Sequence, residues 1–365
     1  MSLNKKRATI VTLYDQKNYG NRLQNYAVQN VLEMLGIEVE TLSYVKKIFD
    51  LKFYMMFIFH KLTRYHFSKD PFFWKKGYHY FENFVKFNNE FIPTKWIKDI
   101  EEIKEKESDY FVLGSDQVWN AEWYSIDILK DLFLLTFCDN RKKICFSPSF
   151  GVSSLPEEWK GWFKDNLMKF HALSVREEAG VKIIKELTNR DAELLIDPTL
   201  MLDADDWLKI AKCPKHVDVD RPYVLTYFLG EKTIECEALL EELQGKKHLC
   251  IYNLRDTNQP DLYISGPREF IYLFSKAEII LTDSFHACVF SFLFQKPFLV
   301  YRRKGKDENI MSRIYTFLNR FDLQRKLVND REYKNIFEAD YKNGYEQLEK
   351  ERKKVFKYLR ESMNL

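Results

Sequence analysis

The residues best suited to chemistry lie in Leu281-Thr-Asp-Ser-Phe-His286, where an apolar run from Ala277 to Ile280 stops and another, Ala287 to Phe294, begins. That pattern predicts a buried strand, a short turn, and a helix capped by Asp283 or Ser284. His286 then falls in the first helical turn, beside N–H groups that lack helical partners. This is the sheet edge at which open α/β folds place ligands. Imidazole is the side chain that exchanges a proton near neutrality. The positive end of the helix keeps it neutral, and a bound polyanion reverses that. The pattern therefore describes an acid armed by an anionic substrate; the alternative is a satisfied core histidine.

Five other strings carry polar groups at predicted strand ends. Leu173-Ser-Val-Arg176 runs into Glu177-Glu178. An arginine there suits forked binding of a carboxylate or phosphate, or a salt bridge to Glu177 or another acid. In Leu113-Gly-Ser-Asp116-Gln-Val-Trp119-Asn120, Asp116 is placed to accept a hydroxyl proton or orient a diol. Trp119 is either a platform for a sugar face or a core residue. Asp15 to Gln24 offers the amides of Asn18, Asn21 and Gln24 for sugar hydroxyls or a phosphate, or else forms a capped turn with Gly20 at positive φ. The string lacks G-x-G-x-x-G spacing, so it gives no support to a dinucleotide. Ser147 to Gly151 is a small-residue turn, and Asp197-Pro198 reads as a structural strand exit.

Positioning these groups requires strands that alternate with helices, the signature of α/β architecture. Arg7–Leu13, Ile37–Tyr44, Tyr110–Leu113, Lys143–Phe146, Ala172–Val175 and Glu193–Ile196 read as strands. Asn21 is expected to cap a helix bearing Leu23, Ala27, Val28, Val31, Leu32 and Leu35 and stopped by Gly36. A polar stretch from about Asp203 to Arg221 suggests a junction. Tyr223–Phe228, His248–Tyr252, Glu278–Leu281 and Pro297–Tyr301 continue the series, and a charged amphipathic helix closes the chain and crosses back to the first domain. The expected division is an amino-terminal Rossmann-like domain over 1–205, a second over 206–340 and the last helix over 341–365. An aromatic and basic insertion occupies about 45–100. Between Tyr44 and Asn88 it interleaves aromatics with Lys46, Lys47, Lys52, Lys61, Arg64, Lys69, Lys75 and Lys76. Two readings stay open: peripheral contact with a membrane or a lipid-linked acceptor, and helices whose aromatics pack on the first domain.

A chain of 365 residues suits two domains, and its 30% charged and 45% hydrophobic content is that of a globular protein. A formal charge of +3 gives no argument for nucleic acid. The six cysteines show neither C-x-x-C nor zinc-ligand spacing, which predicts reduced core residues and no metal. The first residues form a strand instead of a signal peptide, so a cytoplasmic enzyme is expected.

Asn18-Tyr-Gly-Asn-Arg-Leu-Gln24, Gly114-Ser-Asp-Gln-Val-Trp-Asn120, Ser147 to Gly151, Ser174-Val-Arg-Glu177, Asp197-Pro-Thr-Leu200 and Thr282-Asp-Ser-Phe-His286 follow one another in an order that resembles the polysaccharide pyruvyl transferase family. The similarity spans about residues 8 to 320. It implies a GT-B-like fold of two Rossmann-like domains with a ligand cleft between them. It further implies phosphoenolpyruvate as donor, with no other cofactor. The acceptor would be a sugar diol of a cell-surface polysaccharide or its lipid-linked precursor, worked on in the cytoplasm or at the inner face of the membrane. In that frame His286 and Asp116 are the catalytic pair. Arg176, Ser284, Phe285 and Arg313 serve the donor, and Asn18, Asn21, Gln24 and Trp119 serve the acceptor. Many members carry Arg-x-His where this chain has Ser284-Phe285-His286, so Arg176, Arg302, Arg303 or Arg313 is expected to supply the missing charge. Two other readings stay open: a glycosyltransferase using a nucleotide sugar, and a non-catalytic scaffold of a glycan assembly complex. The sequence leaves the oligomeric state open.

Overall fold

The computed structural model describes residues 5–15, 17–44, 82–121, 127–303, 307–328 and 335–365. Five parallel strands form the first sheet: β1 (Arg7–Val11), β2 (Glu38–Tyr44), β3 (Thr94–Ile97), β4 (Tyr110–Leu113) and β5 (Lys143–Cys145), in the order β3-β2-β1-β4-β5. A bridge between Ile144 and Ala172 carries the sheet on to the short pair β6 (Ser174–Val175) and β7 (Glu193–Leu194). The second sheet holds β8 (Tyr223–Tyr227), β9 (Cys250–Asn253), β10 (Ile279–Thr282) and β11 (Phe298–Val300), ordered β11-β10-β8-β9 and parallel throughout. Strands β1, β4, β5, β8, β10 and β11 are buried from end to end or nearly so, which is why they read as unbroken apolar runs. In each sheet the chain reverses direction beside the first strand of that sheet. The crevices at β1/β4 and β8/β10 are therefore the topological switch points where such folds hold ligands.

Helix α1 (Tyr19–Met34) follows β1, and α2 (82–91) precedes β3. Then come α3 (Glu178–Thr188), α4 (Ala204–Ile210), α5 (Pro267–Lys276), α6 (Phe285–Leu293), α7 (Asp307–Arg320) and α8 (Lys342–Ser362). The cap of α1 is Asn18, three residues earlier than the expected Asn21: Asn18 Oδ1 accepts from Asn21 N at 3.1 Å. The extra turn has a reason in the packing. It carries Tyr19, whose ring stacks on Phe270 at 4.7 Å and whose hydroxyl donates to Ser265 O at 2.8 Å, joining the two halves of the chain. Trp207 of α4, inside the expected junction, contacts Tyr26 of one half and Phe290 of the other.

The closing helix returns to the first half, as expected. Leu348, Val355 and Leu359 lie on one buried face of α8. Arg352 donates to Leu200 O at 2.8 Å and Leu202 O at 3.0 Å, and Tyr358 donates to Cys145 O at 2.8 Å. Phe84 and Phe87 of α2 are buried against Tyr19 and Tyr26, which matches the packing alternative for that end of the insertion. Residues 45–81, with the named lysines and Arg64, lie outside the described residues. Among the described residues no helix is long and apolar enough to cross a membrane. Cys138, Cys145, Cys236 and Cys288 are buried free thiols, as expected, whereas Cys213 is exposed.

Candidate active site

The carboxyl ends of β4, β6 and β7 bring Asp116, Arg176 and Asp197 together. Arg176 Nη1 lies 2.6 Å from Asp197 Oδ2, and Nη2 lies 3.2 Å from Asp116 Oδ1. All three are buried, at 4%, 4% and 2% exposure. Such a cluster holds together only if each charge is matched, because an unpaired buried charge costs several kcal/mol. Here most of the matching is in place, while Arg176 Nε and the buried Glu177 Oε2, 3.9 Å apart, have no hydrogen-bond partner among the described residues. Asp116 Oδ2 accepts from Asn21 Nδ2 at 2.9 Å, and Asp197 Oδ2 accepts from Ser115 Oγ at 3.0 Å. Asp197 Oδ1 accepts from Thr199 N at 3.0 Å and Thr199 Oγ1 at 2.7 Å. Burial pushes both carboxyls up, but the Arg176 guanidinium and the other donors outweigh it. Asp197 ends at about 2, and Asp116 also falls below the ordinary range. Arg176 is lowered by burial but raised more by Asp197, Asp116 and Glu177, so it stays a cation.

Asp116 adopts φ 73°, a left-handed conformation that costs a non-glycine residue about 1–3 kcal/mol. Two backbone bonds to its carbonyl hold it there, from Val118 N at 2.9 Å and Ser149 N at 2.8 Å. The turn aims the carboxylate at Arg176 and sends Trp119 inward.

The other half contributes a different wall. His286 projects from the first turn of α6, as its sequence position implied, and lies 3.9 Å through Nε2 from Asp197 Oδ2. Nε2 is buried and has no hydrogen-bond partner among the described residues. Burial pushes the imidazole down to about 4, with Asp197 and Asp116 opposing and Arg176 and Arg313 assisting. The expected neutrality is therefore present, but burial leads it and not the helix end. Gly20 is helical and has no positive φ; it is required for close approach instead. A Cβ there would sit 2.0 Å from His286 Nδ1.

Arg313 of α7 completes this wall and is 8% exposed. Turned to present its oxygen, the Gln117 amide accepts from Arg313 Nη1 at 3.3 Å and Nη2 at 3.0 Å. Its Nε has no partner among the described residues, and burial holds the group down at about 10, still a cation at neutrality. Ser284 occupies the cap position of α6 without a side-chain capping bond, so the helix's positive end has no acceptor from its own cap residue. Its neighbour Asp283 is taken up elsewhere, accepting from Leu229 N at 2.7 Å, Gly230 N at 2.8 Å and Arg303 Nε at 2.8 Å.

Several expected site residues have other work. Trp119 is fully buried, its ring against Phe150 and its Nε1 donating to Phe133 O at 3.0 Å, so it is a core residue and no sugar platform. Asn21 and Gln24 are also fully buried. Asn21 Oδ1 accepts from Asp15 N at 2.9 Å and Gln24 Nε2 donates to Thr12 Oγ1 at 2.9 Å, so both brace the turn, while Gln24 Oε1 has no partner among the described residues. Asn18, half-buried, caps α1. Phe285 covers the guanidinium of Arg176, 4.9 Å from ring centre to Cζ. Asp116, with both oxygens engaged and a lowered pKa, is a positioning group and a poor base. Asp197, read from sequence as a strand exit, stands at the centre of the cluster; only the contact between chain-distant strand ends reveals it.

The arrangement can hold an anion against Arg313 and the start of α6, and can exchange a proton through His286. Residues 18–305 match the family model described as polysaccharide pyruvyl transferase. No curated protein matches the sequence. Among solved structures, a putative UDP-N-acetylglucosamine 2-epimerase from Listeria monocytogenes aligns with a TM-score of 0.50 at 10% identity, covering 99% of this chain and 90% of that one. A glycosyltransferase from Rickettsia africae aligns over 99% of both chains at 13% identity, with a TM-score of 0.45. At these identities the likeness is one of fold. It agrees with the GT-B-like pair of Rossmann-like domains expected from the sequence.

Proposed function

Because the chain belongs to the polysaccharide pyruvyl transferase family, and so is a transferase acting in pyruvyl transfer to polysaccharide, we propose that its donor is phosphoenolpyruvate and its acceptor a sugar diol. One observation carries the choice of donor. The second-half wall presents a buried guanidinium with no carboxylate hydrogen-bonded to it among the described residues, a helix start without a side-chain cap, and an imidazole held neutral by burial. A small polyanion bearing a carboxylate and a phosphate supplies what each group lacks.

Arg313 and the first N–H groups of α6 receive the donor's negative groups. Their arrival raises the pKa of His286 by adding negative charge beside it. The protonated ring gives its proton to the methylene carbon of the enol while an acceptor hydroxyl bonds to the neighbouring carbon. A second hydroxyl of the diol then displaces phosphate and closes the ketal. Arg176, Asp116 and Asp197 fix the floor of the site, and Arg176 adds long-range positive charge. Arg313 thus takes the part that the arginine of Arg-x-His plays in relatives, since Ser284 has no charge to offer.

Thermal unfolding with added ligands tests the donor directly. A site that binds phosphoenolpyruvate raises the melting temperature in its presence, by an amount that grows with concentration. Stabilisation by nucleoside diphosphates alone would overturn the reading in favour of a nucleotide-sugar donor. Phosphate release from phosphoenolpyruvate that depends on an added glycan is the corresponding activity measurement.

A further inference from the structure

The His286 ring has two unlike edges. Nε2 is sealed from solvent, lacks a hydrogen-bond partner among the described residues and faces Asp197 Oδ2 across 3.9 Å. The bare Cα of Gly20 packs on the face of the ring near Nδ1, where a Cβ would meet Nδ1, Cγ and Cε1 at 2.0, 2.3 and 2.5 Å. Among the described residues Asp197 is the one acid with a carboxylate oxygen within 4.0 Å of the ring nitrogens. It cannot swing away. Thr199 holds one oxygen through two bonds, and Arg176 and Ser115 hold the other.

We propose that Asp197 is a positioning residue for His286: its carboxylate keeps the resident ring proton on Nε2, leaving Nδ1 to give and take the transferable proton. The tautomer follows from electrostatics. A neutral imidazole has one N–H and one lone pair. Aiming the N–H at a fixed carboxylate is favourable, and aiming the lone pair at it is repulsive. Access points the same way, since a proton exchanged with substrate or water cannot pass through a sealed nitrogen. The charged groups facing the ring are Asp197 and Asp116, which favour its cation, and Arg176 and Arg313, which oppose it. Arg176 is bound to both carboxylates and screens them, so the ring does not charge until substrate brings further negative charge.

The proton count closes with one nitrogen alone. Nδ1 gives its proton to the methylene carbon, and the attacking hydroxyl's electron pair forms the new carbon–oxygen bond. That hydroxyl's proton returns to Nδ1. The second hydroxyl forms its own bond to the same carbon as the bond to phosphate breaks, and its proton leaves with phosphate. The Nε2 proton stays in place throughout, so no tautomer switch interrupts the cycle.

The transfer step rests on the donor reading above, but the tautomer does not, and the test separates them. Long-range ¹H–¹⁵N correlation of the imidazoles in the substrate-free protein, assigned by loss of the signal in His286→Gln, reads the tautomer directly. The expected result is a protonated Nε2 and an unprotonated Nδ1; the opposite pattern overturns the proposal, whatever the substrate. The second measurement is the pH profile of kcat for Asp197→Asn with phosphoenolpyruvate. Loss of an opposite charge this close should move the alkaline limb down by about one pH unit or more, with KM changed less than about twofold because Asp197 does not touch the donor. An unmoved limb in a folded variant overturns the role. Should Asp197→Asn not fold, the wild-type tautomer still decides. Should wild-type protein not turn over phosphoenolpyruvate, the donor reading fails while the tautomer stands or falls alone.

Discussion

Two walls meet at the seam between the halves, and they handle charge in opposite ways. On the first-half wall Arg176 has two carboxylates within hydrogen-bond reach, and Asp197 is served by four donors. On the second-half wall Arg313 has no carboxylate hydrogen-bonded to it among the described residues, and α6 starts without a side-chain cap. Each wall leaves an arginine Nε without a partner among the described residues. But Arg176 spends both Nη groups on carboxylates and Arg313 has the Gln117 amide, so charge is finished on one side and unfinished on the other. Proximity to a site does not identify the group that meets substrate; a buried cation without a carboxylate partner is the better sign.

The largest expected effect separates chemistry from folding. His286→Ala should lower pyruvyl transfer by about 10²–10⁴-fold, the usual contribution of a positioned acid. It should leave the protein folded, because the cavity left by the ring is offset in part by deleting a buried nitrogen that has no partner among the described residues. Steady-state phosphate release and circular-dichroism melting check the two halves of that statement. Retained turnover would remove His286 from the mechanism.

Arg176→Met should do the reverse. It strands Asp116 and Asp197 as buried anions without their shared cation, a change expected to cost about 3–5 kcal/mol in stability. Urea denaturation measures it. A variant as stable as the wild type would break the contrast between a finished and an unfinished wall.

Much of the fold was legible because buried parallel strands are apolar runs with few alternatives. Tyr110–Leu113 and Ile279–Thr282 lie where their sequences placed them, within a residue. Strand β3 was not, since Thr94-Lys-Trp-Ile97 mixes exposed and buried residues at a sheet edge. His286 and Arg176 were found because each follows a strand and opens a helix, a local signal. Asp197 escaped because its role depends on the ends of β4 and β6 and on a helix start 89 residues away (286 − 197). Of the two readings of Trp119 the core one holds, for a related reason. Gly114-Ser-Asp116 looks like an exposed turn, but the left-handed Asp116 and the bond from Trp119 N to Ser149 O fold it back into the core.

The pH dependence of stability probes both walls in one experiment. His286 is held at about 4 against an ordinary 6.5. The unfolded chain takes up this proton below about 6.5 while the folded protein refuses it down to about 4. Stability is therefore lost as pH falls through that window, by about 3 kcal/mol at most, and the loss stops below it. Asp197 acts lower: its stabilisation is complete above the ordinary 3.8 and disappears as pH falls towards about 2. Urea midpoints across this range should show a two-part decline, and His286→Ala should flatten only the upper part. A decline unchanged by that substitution would mean that the ring is not neutral and buried as described.

The finest distinction lies between the two arginines themselves, and Arg313→Met draws it. Arg313 has an amide oxygen where Arg176 has two carboxylates, so its removal strands no buried anion by hydrogen bond. Burial lowers its pKa, a sign that the protein without substrate tolerates this charge at a cost. Replacing it with an apolar chain of similar length should leave folding stability unchanged or raise it. The donor should suffer instead: losing a charge-assisted bond worth about 1.5–3 kcal/mol weakens phosphoenolpyruvate binding by about 10–150-fold. Titration calorimetry with phosphoenolpyruvate, set beside urea denaturation of the same variant, reads both numbers. A stable variant with weakened donor binding assigns Arg313 to the substrate. Lost stability with unchanged donor affinity would make it a second Arg176, and the missing charge beside Ser284 would have to come from Arg302 or Arg303.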